Sequence, residues 1–399
     1  MDLRKGLSSF MKHKYLSKRY WKDNSTPLGS STATARSFDD CINLSLGDPD
    51  LTTDELIIEK AFADAKMGHT KYTDPQGDPE LREEIRKFYQ EEYGMEVLDK
   101  EIFVSTSACI GMFLALEAIL DEQDEVIIPA PCFTFYFQQV EMAGGIPVEL
   151  PTYEEEGFQI DMQRLESMIN EHTKAIIINT PCNPTGSCLT LETMQKLTQI
   201  AEKYDLVVIA DDIYTDFSYQ NPFIPIAGLP GMKERTITLN SFSKNFTMTG
   251  WRIGNIIAPD YLIEAIQNIN ENLVYSAPSI SQRAAIHALR NRKTIQPPMI
   301  EEYRSRVFYA AERINAIPNM HVLYPPKGTF YLFVNIKDTG LTSQEVTDRI
   351  LQEAHVLVLP GDAFGTCGEG FLRIACTVNK DVLKEAFDRI AKMSIFSDH

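Results

Sequence analysis

The feature that most constrains this chain is the regular return of short apolar runs: Ile102-Phe103-Val104, Val126-Ile127-Ile128, Ala175-Ile176-Ile177-Ile178 and Leu206-Val207-Val208-Ile209-Ala210, with helical patterns between them. Runs that stay apolar at consecutive positions suit strands buried on both faces, and such strands belong to parallel sheets covered by helices. From Asp50 to about Arg290 the alternation predicts an α/β fold whose large domain is a three-layer α/β/α sandwich with a mostly parallel sheet. From about Arg292 the pattern changes. A helical stretch at Met299–Tyr303 precedes strands around Val322-Leu323-Tyr324 and Thr329–Val334, then a helix from Ser343 and strands around Val356–Val358 and Phe371–Ile374. This predicts a smaller α+β domain. The expected division is an N-terminal arm over 1–45 that is part of the small domain, a large domain over 46–290 and a C-terminal small domain over 291–399.

Composition narrows the class. With 399 residues, 44% apolar and 24% charged, the chain has enough material for two domains of a soluble globular protein. Its net charge of −18 opposes nonspecific nucleic-acid binding. The seven cysteines are odd in number and scattered, which fits reduced thiols in a cytoplasmic protein, and neither they nor the histidines have metal-ligand spacing. The basic stretch Lys12, Lys14, Lys18, Arg19, Lys22 has no apolar core behind it, so it does not read as a secretory signal, and no run is long enough to span a bilayer.

The chemistry sits where strands end. Lys244 in Ser241-Phe242-Ser243-Lys244 is followed by Arg252 in Met248-Thr249-Gly250-Trp251-Arg252. A neighbouring guanidinium depresses a lysine's pKa and binds phosphate, so one segment offers an amine for a Schiff base and an anchor for an anion. These are what pyridoxal 5′-phosphate (PLP) requires of a protein. Asn183, in Asn-Pro-Thr-Gly, follows the strand at 175–178, and Asp211 follows the strand at 206–210 with Tyr214 three residues on. A carboxylate there suits a protonated pyridine nitrogen and a tyrosine suits the ring oxygen. Equally, Asn-Pro-Thr-Gly reads as a turn and Asp211 as a helix cap. Ser107, Ala108 and Cys109 stand at a strand-to-helix turn able to cradle a phosphate or simply to cap the helix. Phe133, after Glu125–Cys132, would stack on a heterocycle or pack in the core.

Taken in order, these segments resemble the class I aminotransferases, fold-type-I PLP enzymes. The resemblance runs from Ile42–Asp50 through Lys71-Tyr72-Thr73, Gly77–Arg82, Asn183–Gly186, Asp211–Tyr214 and Ser243-Lys244 to Gly368–Ala375. It implies that Lys244 is the Schiff-base and proton-transfer residue and that Asp211 pairs with the pyridine nitrogen. It also implies that Asn183 and Tyr214 bond the ring oxygen, and that Ser107, the backbone N–H groups of Ala108 and Cys109, Ser241, Ser243 or both, and Arg252 hold the phosphate. Phe133 would stack on the ring where relatives commonly have tryptophan or tyrosine. Arg373, with Gly47 and Asn183, would bind the substrate carboxylate. Tyr72 would reach the cofactor phosphate of a neighbouring protomer, which implies a homodimer with shared sites.

The implied reaction moves an amino group from an L-amino acid to a 2-oxo acid through a pyridoxamine phosphate intermediate. The same fold also supports β-lyases, decarboxylases and cofactor-binding regulators. A regulator would carry a DNA-binding module, for which the stretch before Ile42 offers only one short basic arm. Cys109 stands where some aspartate-type relatives have a lysine for a distal carboxylate, so the expected side-chain pocket, near Phe133, Tyr275 and Tyr331, accepts aromatic or other apolar groups as well.

Overall fold

The computed structural model describes residues 14–18, 21 and 38–396. Most of the arm expected over 1–45, including Lys12, Arg19 and Lys22, lies outside the described residues. The strands are β1 (Ile42–Asn43), β2 (Ile102–Ser105), β3 (Glu125–Ala130), β4 (Ile146–Pro151), β5 (Thr173–Asn179), β6 (Val207–Asp211), β7 (Thr236–Ser241), β8 (Gly254–Ile257), β9 (Tyr331–Asn335), β10 (Val356–Leu357), β11 (Leu359–Pro360) and β12 (Phe371–Ala375). The helices are α1 (Glu55–Lys66), α2 (Pro79–Tyr93), α3 (Ala108–Ile119), α4 (Phe135–Met142), α5 (Met162–Met168), α6 (Leu191–Lys203), α7 (Phe242–Asn245), α8 (Asp260–Glu271), α9 (Ser279–Asn315), α10 (Ser343–Arg349) and α11 (Lys380–Ile390).

Seven strands form one sheet in the order β2-β8-β7-β6-β5-β3-β4. Only β8 runs against its two neighbours. All other pairs in the sheet are parallel, as the apolar runs predict. The period of two along a strand explains why the runs are apolar throughout. Ile177 and Ile209 face Met112 and Leu116 of α3 and Ile266 of α8. Their neighbours Ile176, Ile178, Val208 and Ala210 face Leu197 of α6 on the other side. Each such isoleucine, taken fully out of water, contributes roughly 1.5–3 kcal/mol, so both faces of the central strands are anchored. Towards the β2 edge, Ile102, Val104 and Ile257 pack on Ala284, Ala285 and Leu289 of α9.

The smaller part contains the antiparallel sheet β11-β12-β9 and the parallel pair β1-β10. Its core joins Val334, Leu372 and Ile374 to Val307 and Ile314 of α9 and Phe387 of α11. One local expectation fails. Val322-Leu323-Tyr324 forms no strand. His321 makes an isolated bridge to Asn335, and Pro325-Pro326, which lack N–H donors, prevent a ladder beyond it. In addition, α9 runs unbroken for 37 residues through the expected division at 290/291, with Pro297 and Pro298 inside it. A division placed there would fall within one helix. No helix among the described residues is long and apolar enough to cross a membrane.

Candidate active site

Parallel strands end together, so their C-terminal loops converge on one crevice. The rung Asn179–Asp211–Leu239 marks that edge on β5, β6 and β7. Beyond it, β3 leads to Phe133, β5 to Asn183, β6 to Tyr214, and β7 through α7 to Lys244. These residues line a cavity of about 440 Å³ together with Asp211, Gly47 and Arg373. Seven of the sequence-predicted site residues therefore share one wall-to-wall space, and Arg373 of β12 closes it from the smaller part of the molecule.

Lys244 Nζ donates to the Gly47 carbonyl at 2.5 Å. Burial pushes its amine down to about 8; Asp48 opposes this, while the positive charges of Arg373 and Arg252 add to it. The result is an amine that is still mostly protonated near physiological pH but has a far larger neutral fraction than an ordinary lysine, and the neutral form is the one that acts as nucleophile and base. Gly47 has a steric reason to lack a side chain, because a Cβ there would lie 1.6 Å from the Tyr331 hydroxyl.

Asp211 is buried, and burial raises its carboxyl to about 6. One oxygen, Oδ2, accepts from the Tyr136 hydroxyl, while Oδ1 is buried without a partner. An unpaired buried acceptor is costly unless something completes it. Asn179 Nδ2 fixes the strand end by donating to the Asp211 carbonyl at 2.7 Å, and its Oδ1 accepts from the Asn183 N–H at 2.8 Å.

Arg373 is 1% exposed. Its guanidinium lies against the rings of Tyr331 (4.5 Å) and Phe364 (4.8 Å) and donates to Asn183 Oδ1 at 3.0 Å and to the Ser45 carbonyl. Its Nε is buried without an acceptor. Burial pushes this arginine's pKa down, and Tyr331 and Tyr214 oppose the shift. A buried guanidinium in contact with two rings, with a donor to spare, suits an incoming carboxylate. Tyr214 donates to the Tyr331 hydroxyl at 3.2 Å.

The remaining predicted residues lie outside this lining. Ser107, Ala108 and Ser241 are drawn together next to it, because Gly254 of β8 pairs with both Ser105 and Ser241. A Cβ on Gly254 would lie 2.9 Å from the Ala108 nitrogen and 3.1 Å from the Ser107 carbonyl carbon. Ser107 Oγ accepts from the Ile110 N–H and Ser241 Oγ from the Ser243 N–H, so both serines also cap helices. Cys109 follows in α3; burial raises its thiol pKa and the charge of Arg252 opposes the rise. Arg252 is exposed and donates to the Thr249 carbonyl at 2.7 Å. Tyr72 is 84% exposed and stands edge-on to Tyr275. Tyr275 does not line the cavity, whereas Phe133 and Tyr331 do.

Sequence reasoning left Tyr136 and Asp48 without roles. Tyr136, in the first turn of α4, follows Phe133 by three residues, which is the signal available for it. Asp48, held by Thr249 Oγ1 at 2.7 Å, lies inside the Gly47-Asp48-Pro49 segment.

The model of the family "Aminotransferase class I and II" matches residues 39–390. An aspartate aminotransferase of Pyrococcus abyssi is 41% identical over 360 residues, covering 89% of this chain and 92% of that protein. Aromatic-amino-acid aminotransferase 2 of Thermococcus litoralis is 38% identical over 365 residues, covering 90% and 93%. Among solved structures, an aspartate aminotransferase of Thermus thermophilus with maleate aligns with a TM-score of 0.90 at 31% identity over 95% of this chain and 100% of that one. The aromatic aminotransferase of Pyrococcus horikoshii OT3 aligns with a TM-score of 0.86 at 38% identity, covering 90% and 97%. The lowered-pKa lysine and half-satisfied carboxylate at the parallel strand ends, faced by the buried arginine of β12, thus occur in a chain that belongs to the class I and II aminotransferases.

Proposed function

We propose that this aminotransferase works with PLP held over the ends of β5, β6 and β7, and that Arg373 binds the α-carboxylate of amino acids with aromatic or other apolar side chains as well as acidic ones. The observation that carries the cofactor assignment is the orphaned Oδ1 of Asp211, an acceptor in the cavity lining that a protonated ring nitrogen would complete. The close approach of Gly254 to the Ala108 nitrogen supports a phosphate cradle at the adjoining turn, where an α3 N-terminus adds favourable potential. When bound, PLP supplies an electron-withdrawing ring that accepts and returns the amino group.

The chain's own residues do the rest. Lys244 Nζ, with its pKa near 8, takes the proton from the substrate Cα and carries it within the cavity. Asp211 would hold the ring nitrogen protonated, Asn183 and Tyr214 would donate to the ring oxygen, and Phe133 would stack on the ring. Arg373 fixes the carboxylate so that the Cα–H bond is presented to Lys244, a positioning effect. The apolar lining contributed by Leu46, Phe133 and Ile213 supports a side-chain subsite that does not demand charge.

The test is kcat/KM for aspartate, glutamate, phenylalanine, tyrosine, leucine and alanine in the wild type and in Arg373→Ala. Removing one member of a buried charge pair costs roughly 2–5 kcal/mol, so every substrate should fall by about 30-fold or more in the variant, with the order of preference kept. Use of aspartate and glutamate alone by the wild type refutes the subsite, and an unchanged variant refutes Arg373.

A further inference from the structure

We propose that Tyr136 is the positioning residue for Asp211: its hydroxyl holds Oδ2, so that the carboxylate stays charged and keeps Oδ1 available to the ring nitrogen of the cofactor. The inference rests on the functional reading above. Three observations carry it. Tyr136 and Asp211 are both buried, and the tyrosine hydroxyl is the side-chain donor to this carboxylate. Both residues line the same cavity. The second carboxylate oxygen has no partner, so the pair is built with one acceptor left over.

The direction of the effect follows from elementary electrostatics. Burial favours the neutral form of Asp211, and the Tyr136 hydrogen bond favours the charged form. Tyr136 itself remains a donor, because burial and then the neighbouring Asp211 charge keep its phenol far above neutral titration. Without that donor two carboxylate oxygens would lack partners in an apolar setting, and Asp211 would take up a proton instead of pairing with a pyridinium. Tyr136 also touches Phe133 edge-on at 5.6 Å, so a purely structural role, that of steadying Phe133, is the alternative.

A ligand pair separates the two roles. Cofactor-free wild type, Tyr136→Phe, Asp211→Asn and the double variant are titrated with PLP and with its analogue carrying C–H in place of the ring nitrogen. Tyr136→Phe keeps the ring that contacts Phe133 and removes only the hydroxyl. The expected result is about a tenfold weaker PLP dissociation constant, the lower end for a hydrogen bond to a charged group, with analogue binding unchanged. In the Asp211→Asn background the Tyr136 substitution should have no further effect on PLP. Comparing the two ligands within one variant cancels any general loss of folded protein. Equal weakening for both ligands, or none for either, overturns the assignment. A wild-type chain that binds neither ligand overturns the functional reading and this inference with it.

Discussion

At the scale of single residues, the site keeps charged groups in states that cost stability when no ligand is present. Asp211 shows this most directly. Burial sets its carboxyl near 6, against the ordinary 3.8. Between those two values the folded chain holds a proton that the unfolded chain has lost, so this group's contribution to stability falls as pH rises through that window. Above pH 6 the full penalty remains, on the order of 3 kcal/mol for a shift of this size. Asp211→Asn should therefore make the cofactor-free protein more stable at pH 7, by up to about 3 kcal/mol, and the gain should shrink as pH falls towards 4. Its affinity for PLP should fall at the same time. Urea unfolding at pH 4, 5, 6 and 7 checks the first part and titration with PLP the second; an Asn variant less stable than wild type at pH 7 would contradict the burial argument. Asp211 was legible in the sequence because a polar residue closing an apolar run must lie at a strand end. Tyr136 was not, since an aromatic residue in a short helix looks the same whether it fills a core or orients a carboxylate. Its partner lies 75 residues away, a pairing only the fold reveals.

At the scale of elements, the turn from β2 into α3 is where local strain meets the expected phosphate site. Ser107 has φ 155° and ψ 163°, a region that glycine enters freely and side chains enter at a cost of about 1–3 kcal/mol. It is held there by its place between β2 and α3: Ser105 Oγ donates to the Ser107 carbonyl at 3.0 Å, and Ser107 Oγ caps the helix by accepting from Ile110 at 3.2 Å. Glycine at this position would forfeit a cap worth only a few tenths of a kcal/mol relative to serine, plus about 0.4–1 kcal/mol of unfolded-chain entropy, and would remove the strain. Ser107→Gly should thus leave the cofactor-free protein about equally stable or up to about 2 kcal/mol more stable, while the lost hydroxyl weakens binding of PLP. A stability loss above about 1 kcal/mol in urea unfolding would show that the cap outweighs the strain. The sequence identified the turn from its Ser/Thr cluster but not the strain, because backbone angles are set by tertiary fit. The same limit applies to α9: two consecutive prolines suggest a break, yet packing of Val307, Ala310 and Ile314 into the core sustains the helix beyond them.

At the scale of the whole molecule, one face carries apolar groups that the described chain does not cover. Tyr72 and Tyr275 stand edge-on with ring centroids 5.1 Å apart, and Leu273 and Val274 beside Tyr275 are 56% and 44% exposed. Exposed apolar clusters of this kind mark interaction surfaces. Tyr72 lies outside the lining of its own chain's cavity, so a role at a cofactor phosphate requires a neighbouring copy to bring a second site to it. The prediction is a homodimer in which each site combines Lys244 of one protomer with Tyr72 of the other. Hybrids made from a Tyr72→Phe chain and a Lys244→Ala chain decide it. With shared sites, one site of each hybrid collects both defects and the other has neither, so hybrids should turn over at about half the wild-type rate, with the wild-type KM and wild-type PLP affinity in the active half. With separate sites, the Lys244→Ala half is inactive and the other half carries the Tyr72→Phe defect, so that no site behaves as wild type. Loss of one phosphate hydrogen bond, about 1.5–3 kcal/mol for a charged acceptor, would weaken PLP at least tenfold, so the two outcomes separate clearly in a PLP titration of purified hybrids. A monomer in sedimentation, or hybrids in which every site retains PLP weakly, would refute the shared site.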